Sequence, residues 1–367
     1  MRDNQNESAV FSGSLSNGGT TLKEKTVYIE LLRIMAAFAV ILIHVVAILI
    51  THYSIGSSDW IVCAVLGSLS RWSIPLFFMI SGVLLLDKEE TLKELFIKRI
   101  LRYGVIILLF SFIYYVRLYI HHPEYGFSMK YFFTYIYSTP FIIPYWFLYS
   151  YLSFLLILPV LRAVVKNLKE NEYLWILGFS VFLWISPVWE NIFNLEPINI
   201  SNGLNASFVV FPILGYGIAN VISDKYYNYM SRAILFVVFI LNWLCSIYMN
   251  IVEFKETGEL SGSNLDRFAG IPTIVIFYFI IYCFDKKKIK IPERMERVIS
   301  IVGGGVLCTY LFEDMLRSDI FLELFGIVSG NIARLLMCIP YTVCIIICGV
   351  IISTILKKIP GINKLKL

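Results

Sequence analysis

Ten apolar stretches recur along the chain, separated by short polar segments. They cover roughly 27–50, 61–86, 101–120, 141–161, 173–190, 205–222, 233–251, 269–284, 298–315 and 332–356. Each is near the ~20 residues that a helix needs to cross a bilayer core. The pattern predicts an all-α fold, a polytopic membrane bundle of about ten transmembrane helices with short loops. Residues 1–26 are polar and rich in Asn, Ser and Gly, and read as a flexible cytoplasmic tail, since a secretory leader would need a short apolar core and a small-residue cleavage site. Residues 27–358 are expected to form one membrane domain, and 359–367 a short basic cytoplasmic tail. Neither an internal repeat nor an appended soluble domain is evident.

Charge orients this bundle. Most of the 31 lysines and arginines gather in alternate loops and at the two chain ends. The opposite side, counting its loops and the span edges beside them, is left with Arg117, Lys130, Lys255, Arg267, Arg317 and Arg334, and Arg33 and Arg71 remain in the interior of spans. Cytoplasmic loops carry the excess of basic residues, so both termini are expected in the cytoplasm and the span number to be even. Composition agrees: 58% of residues are hydrophobic and 16% are charged, against about 25% charged in a soluble domain. A soluble enzyme, a disordered protein and a fibrous repeat are excluded, and the expected location is the cell membrane, crossed many times. The net charge of +5 marks cytoplasmic loops and implies no nucleic-acid partner. Seven cysteines lie in apolar runs without zinc-ligand spacing, and read as small buried hydrophobes with no metal site.

Ionisable groups inside spans are costly and mark candidate chemistry. In the first span Arg33 and His44 are eleven positions apart, within about 20° of one helix face and about 16 Å apart along the axis. Singly, the histidine reads as a packing residue and the arginine as a snorkelling one; together on one face they point to a site. Arg71 lies deep in the second span, either as an ion pair between helices or in a cavity, and Pro75 four residues on breaks the backbone ladder. Ser81 and Gly82 permit close helix approach. Lys98, Arg99 and Arg102 gather beside the third span, where they obey the topology rule, bind anionic lipid, or clamp the phosphates of a cytoplasmic nucleotide-like donor. Trp146 and its tyrosine neighbours resemble an outer aromatic belt. Glu313 and Asp314 stand at the outer end of the ninth span, solvated or facing the bundle. Gly303 to Gly305 read as packing positions. His52, His121 and His122 fall in predicted outer loops and are weak candidates.

These motifs resemble the integral-membrane acyltransferase family 3, which transfers acetyl or other short acyl groups to cell-surface sugars and includes the membrane domain of vancomycin-resistance serine racemases. The matching pieces are the Arg33-to-His44 spacing, the stretch from Arg71 through PLFFMISG, the KRILRY segment, YWFLY and the TYL of the ninth span. The resemblance implies that His44 is the catalytic histidine and Arg33 its essential partner. It places Arg71 and the cluster Lys98, Arg99 and Arg102 on the donor path. This sequence departs from the pattern where the family often has a histidine after the TYL-like segment: it has Glu313, so a role for that histidine is not carried over. Neither an esterase-like nor a racemase domain is expected within these 367 residues.

The reading that follows is an acyltransferase using acyl-CoA, as acetyl-CoA, from the cytoplasm as donor substrate, with no bound cofactor and a lipid-linked or cell-surface glycan hydroxyl as acceptor. His44 suits proton transfer near neutral pH, and Arg71 suits a developing oxyanion. Two other classes fit the same features: a transporter or flippase for a glycan or amino acid, served by the Pro75 break and the membrane arginines, and a non-catalytic scaffold, which would tolerate loss of His44.

Overall fold

The computed structural model describes residues 19–365 apart from 52, 55, 197, 199–206, 258–267, 288 and 328–330. The predicted tail at 1–18 lies outside them. Thirteen helices in chain order account for the described fold, with no strand among the described residues. They are α1 (Gly19–Ile50), α2 (Ser58–Ser70), α3 (Ser73–Leu85), α4 (Leu92–His121), α5 (Met129–Ser138), α6 (Trp146–Asn167), α7 (Glu170–Ile192), α8 (Ser207–Asn220), α9 (Tyr229–Thr257), α10 (Gly270–Ile281), α11 (Glu293–Gly303), α12 (Val306–Ile327) and α13 (Asn331–Leu356).

A helix occupies each of the ten predicted stretches. Seven spans are long and apolar enough to cross a membrane: α1, the α2–α3 pair, α4, α6, α7, α9 and α13. The α11–α12 pair passes the same test only together and is bent by 57°. Two shorter apolar helices, Phe208–Asn220 and Gly270–Asp285, fill the remaining predicted positions.

Local chemistry explains where the helices begin and break. Ser57 caps α2 by accepting from the Trp60 amide at 3.3 Å. Thr91 and Glu94 close a capping box at the start of α4. The second span breaks at Arg71–Trp72, four residues ahead of Pro75, whose ring nitrogen cannot donate back. The Trp72 carbonyl at this break accepts from the Thr273 hydroxyl of α10 at 3.0 Å. The ninth predicted span is likewise not straight: it bends at Gly303 to Gly305, and a Cβ at Gly303 would collide with Glu30 on α1 and one at Gly305 with Val350 on α13. These glycines are packing positions, as expected. The close approach expected at Gly82 is also present, since its Cβ would strike the Pro212 backbone of α8, as one at Gly215 would strike Met79.

α1 runs through the middle of the bundle, packed on α2, α3, α10, α11, α12 and α13. Three expectations are corrected. The loop between the third and fourth spans holds a helix of its own, α5, started by Ser128 accepting from the Tyr131 amide; its two inward residues, Phe132 and Ile136, are too few to mark a span. Tyr145 is fully buried and does not belong to an exposed belt, whereas Trp146 is 42% exposed. Of the cysteines, Cys63, Cys308 and Cys338 are buried, but Cys344 is exposed.

Candidate active site

α1 carries two sites about three turns apart, each completed by other helices. At its C-terminal half, His44 Nδ1 lies 3.0 Å from Glu313 Oε2 of α12. Glu313 is 0% exposed and His44 21%, so the carboxylate is sealed while the ring keeps an open edge. The second Glu313 oxygen accepts from Arg317 Nε at 2.8 Å, and Arg317 also bonds Asp314. Glu313 thus faces the bundle, which the sequence left open.

Four tyrosines hold this turn of α12 in place. Tyr145 and Tyr114 both donate to the Leu311 carbonyl, at 2.8 and 3.4 Å. The Tyr114 hydroxyl in turn accepts from the Met315 amide at 3.1 Å, wedged against the backbone on either side of Glu313. From α13, Tyr341 donates to the Leu316 carbonyl at 3.0 Å. Tyr310, one turn before Glu313, bonds the Pro144 carbonyl. Together these bonds fix the carboxylate relative to His44, a condition for acid–base work.

At the N-terminal half of α1, Arg33 Nη1 bonds Glu30 Oε1 at 2.7 Å, with Arg33 34% and Glu30 14% exposed. Arg33 and Arg102, the latter on α4, are both near enough to Tyr103 to act on it electrostatically, and the Arg102 guanidinium carbon lies 5.8 Å from the Tyr103 ring centre. Arg102 Nε is buried with no hydrogen-bond partner, as is Glu30 Oε2. Two cations therefore share Tyr103 as a neighbour at this end, and Arg102 keeps an unused buried donor.

An aromatic wall joins the two ends. Tyr103 lies 4.7 Å from Tyr151, Tyr151 lies 6.0 Å from Phe147, and Phe147 lies 5.8 Å from Tyr310. All four are half-buried, so the wall keeps accessible surface along its length. Its rings come from α4, α6 and α12.

The other candidates are placed as follows. The basic cluster divides: Lys98 pairs with Glu94 at 2.9 Å on the surface, Arg99 grips Glu90 with two nitrogens, and Arg102 lies beside Tyr103. Glu90 also accepts from Arg162 Nη2 at 2.8 Å. Burial works against the charge of Glu90, but Arg99 and Arg162 outweigh it and hold its carboxyl at about 2. Arg71 caps α2 at the break, half-buried, its amide bonded to the Ser68 carbonyl. Ser81 is buried with its hydroxyl donating to the Phe77 carbonyl at 2.8 Å, a bond within its own helix. Trp146 opens α6 at the exposed surface beside Phe147. His122 pairs with Glu124 at 3.0 Å in an exposed loop, and His52 lies outside the described residues. Among the described residues no group of His, Cys, Asp or Glu is placed to hold a metal.

Sequence reasoning missed Glu30, Tyr103, Tyr310 and Arg317. Each carried a signal: Tyr103 and Tyr310 lie in the KRILRY and TYL segments, Glu30 stands three residues before Arg33, and Arg317 four after Glu313, spacings that bring opposite charges together on a helix. No curated relative and no solved structure matches the chain. A family model described as an acyltransferase domain matches residues 26–358, which include every residue of both sites, and the chain therefore belongs to the membrane acyltransferase family 3.

Proposed function

We propose that the protein is an O-acyltransferase of the cell membrane that moves an acyl group, acetyl in the simplest case, from cytoplasmic acyl-CoA to a hydroxyl of a cell-surface or lipid-linked glycan. The observation that carries this is the pairing of two sites on one helix: a cationic end at Arg33 and Arg102, and an acid–base end at His44 and Glu313. The asymmetry of basic residues supports ten crossings with both termini in the cytoplasm. The two short apolar helices then complete the count, and the Arg33 end faces the cytoplasm.

In this reading the donor phosphates sit at Arg33 and Arg102, where guanidinium groups bind phosphate in charge-assisted pairs. The pantetheine arm has about twelve bonds from phosphate ester to sulfur, which at the advance of an extended chain amounts to about 14 Å. That nearly matches the roughly 16 Å rise from Arg33 to His44. The arm thus lies along the aromatic wall and presents its thioester at His44 directly, with no acyl relay. Glu313 orients the imidazole through Nδ1, leaving Nε2 to take the acceptor hydroxyl's proton as oxygen attacks the thioester carbonyl. The tetrahedral oxyanion collapses, the C–S bond breaks, and the proton passes to the departing CoA sulfur. Arg71 is assigned to the oxyanion by its charge.

The test is acyl content of the surface glycan, by mass spectrometry, in cells carrying wild type, His44→Ala or His44→Gln. Both variants should insert normally and lose acylation. Near-normal acylation by folded His44→Gln refutes the catalytic assignment and raises the carrier or scaffold reading above it.

A further inference from the structure

The His44–Glu313 contact does not end at the carboxylate. Arg317 reaches the Glu313 oxygen that His44 does not use, at 2.8 Å, and is itself only 13% exposed. Its other nitrogen is on Asp314. All three charged residues belong to α12, so the Arg317 pairs tie no helix to another, whereas the Glu313 contact with His44 does cross between helices. Burying three charges within one helix carries a desolvation cost that packing does not require. Asp314 does not depend on Arg317 alone, because the charge of Arg117 on α4 also acts on it.

We propose that Arg317 is a positioning residue for acyl transfer, acting on His44 through Glu313; this rests on the acyltransferase reading above. Its Nε–H occupies Oε1 and so fixes which oxygen, and which carboxylate plane, meets the imidazole. Its charge also keeps two adjacent carboxylates, Glu313 and Asp314, from competing for one proton, as like-charged neighbours do when close together. Glu313 then remains an acceptor for the His44 Nδ1 proton, and Nε2 remains free to act as the base. A fork of five donors on a planar group suits this double role, and a single ammonium fits it less well.

The test uses the full chain in native membranes, with acetyl-CoA as donor and the endogenous glycan as acceptor, measuring initial rate against acetyl-CoA concentration. Arg317→Met should lower the maximal rate about 10- to 100-fold, as loss of outer-shell partners commonly does, with KM for acetyl-CoA unchanged. Arg317→Lys should recover part of the rate. In a Glu313→Gln background, Arg317→Met should cost little more, because its route to His44 is already cut. A folded Arg317→Met at full rate, a loss confined to KM, or an equal fold-loss in both backgrounds overturns the proposal. If Arg317→Met does not fold, Arg317→Gln is judged by the same criteria, and failure of both to fold makes Arg317 structural. The parent reading fails separately: wild-type membranes would transfer no acetyl group, or His44→Gln would match wild type.

Discussion

Replacing Glu313 by Gln is the most direct test of the dyad. The substitution keeps shape and one hydrogen-bonding oxygen but removes the charge beside His44. When His44 takes a proton, an imidazolium forms 3.0 Å from Glu313 Oε2, nearest atom to nearest atom. With charge centres about 4 Å apart and an effective dielectric of about 20, their attraction is about 4 kcal/mol. Losing that attraction only in the charged state slows transfer by about three powers of ten. Stability should suffer less: Arg317 keeps Asp314 as a partner, so the variant does not strand a buried cation. The assay is acetyl transfer by purified protein in nanodiscs, with folded fraction read by fluorescence-detected size exclusion. A folded Glu313→Gln protein within about threefold of wild-type rate would show that the carboxylate does not support a charged His44, and would reduce the contact to packing.

Three further outcomes are expected. Arg33→Lys should raise KM for acetyl-CoA without rescuing the Arg33→Ala defect, because an ammonium does not reproduce a bidentate fork to phosphate; a normal KM in either variant removes Arg33 from the donor site. Glu90, held at about 2 by Arg99 and Arg162, contributes stability that is fully present above its ordinary value of 4.5 and is lost as pH falls from there to about 2; Glu90→Gln should flatten this acid-side decline in melting temperature in detergent, and an unchanged decline rules the site out as its source. Gly215→Ala places a methyl against the Met79 backbone of α3 and should lower stability by about 1–3 kcal/mol, seen as a lower Tm with activity per folded molecule retained.

Helix existence was legible in the sequence because apolar length decides it: every predicted stretch holds a helix. Helix interruptions were legible only in part. Pro75 announced the break at Arg71–Trp72, since the ring removes a donor at a known offset. The 57° bend at α11–α12 depended on what Gly303 and Gly305 pack against, Glu30 and Val350, and that information lies some 270 and 45 residues away along the chain. The same limit governed the site. His44 and Arg33 share a face by arithmetic within one helix. Glu313 as the partner of His44 is a contact across 269 residues, for which spacing has no rule. The division of Lys98, Arg99 and Arg102 was hidden for another reason: α4 carries a π-turn over Phe96–Leu101, which rotates successive side chains away from the face that a regular helix would give them.

The two ends of the site differ in how their charges are held, and that difference assigns them separate kinetic roles. Arg33 is paired locally, with Glu30 three residues away on the same helix, and is 34% exposed. This pair lies within one helix and is partly exposed, so a phosphate arriving at Arg33 competes with one local carboxylate, and Arg102 has Nε still without a partner. Glu313 is sealed at 0% exposure, and backbone bonds from Tyr114, Tyr145 and Tyr341 fix its helix turn. Removing a partner there leaves a buried charge uncompensated, so this end does not rearrange to admit a ligand. On the proposed function, the donor is expected to be captured by exchange at Arg33 and processed at a preset His44–Glu313 pair. Substitutions at Glu30, Arg33 and Arg102 should act on KM for the donor, and those at His44 and Glu313 on kcat. The rigid rise of α1 between the ends keeps the two effects separable, because neither group can move toward the other without breaking the helix that carries both.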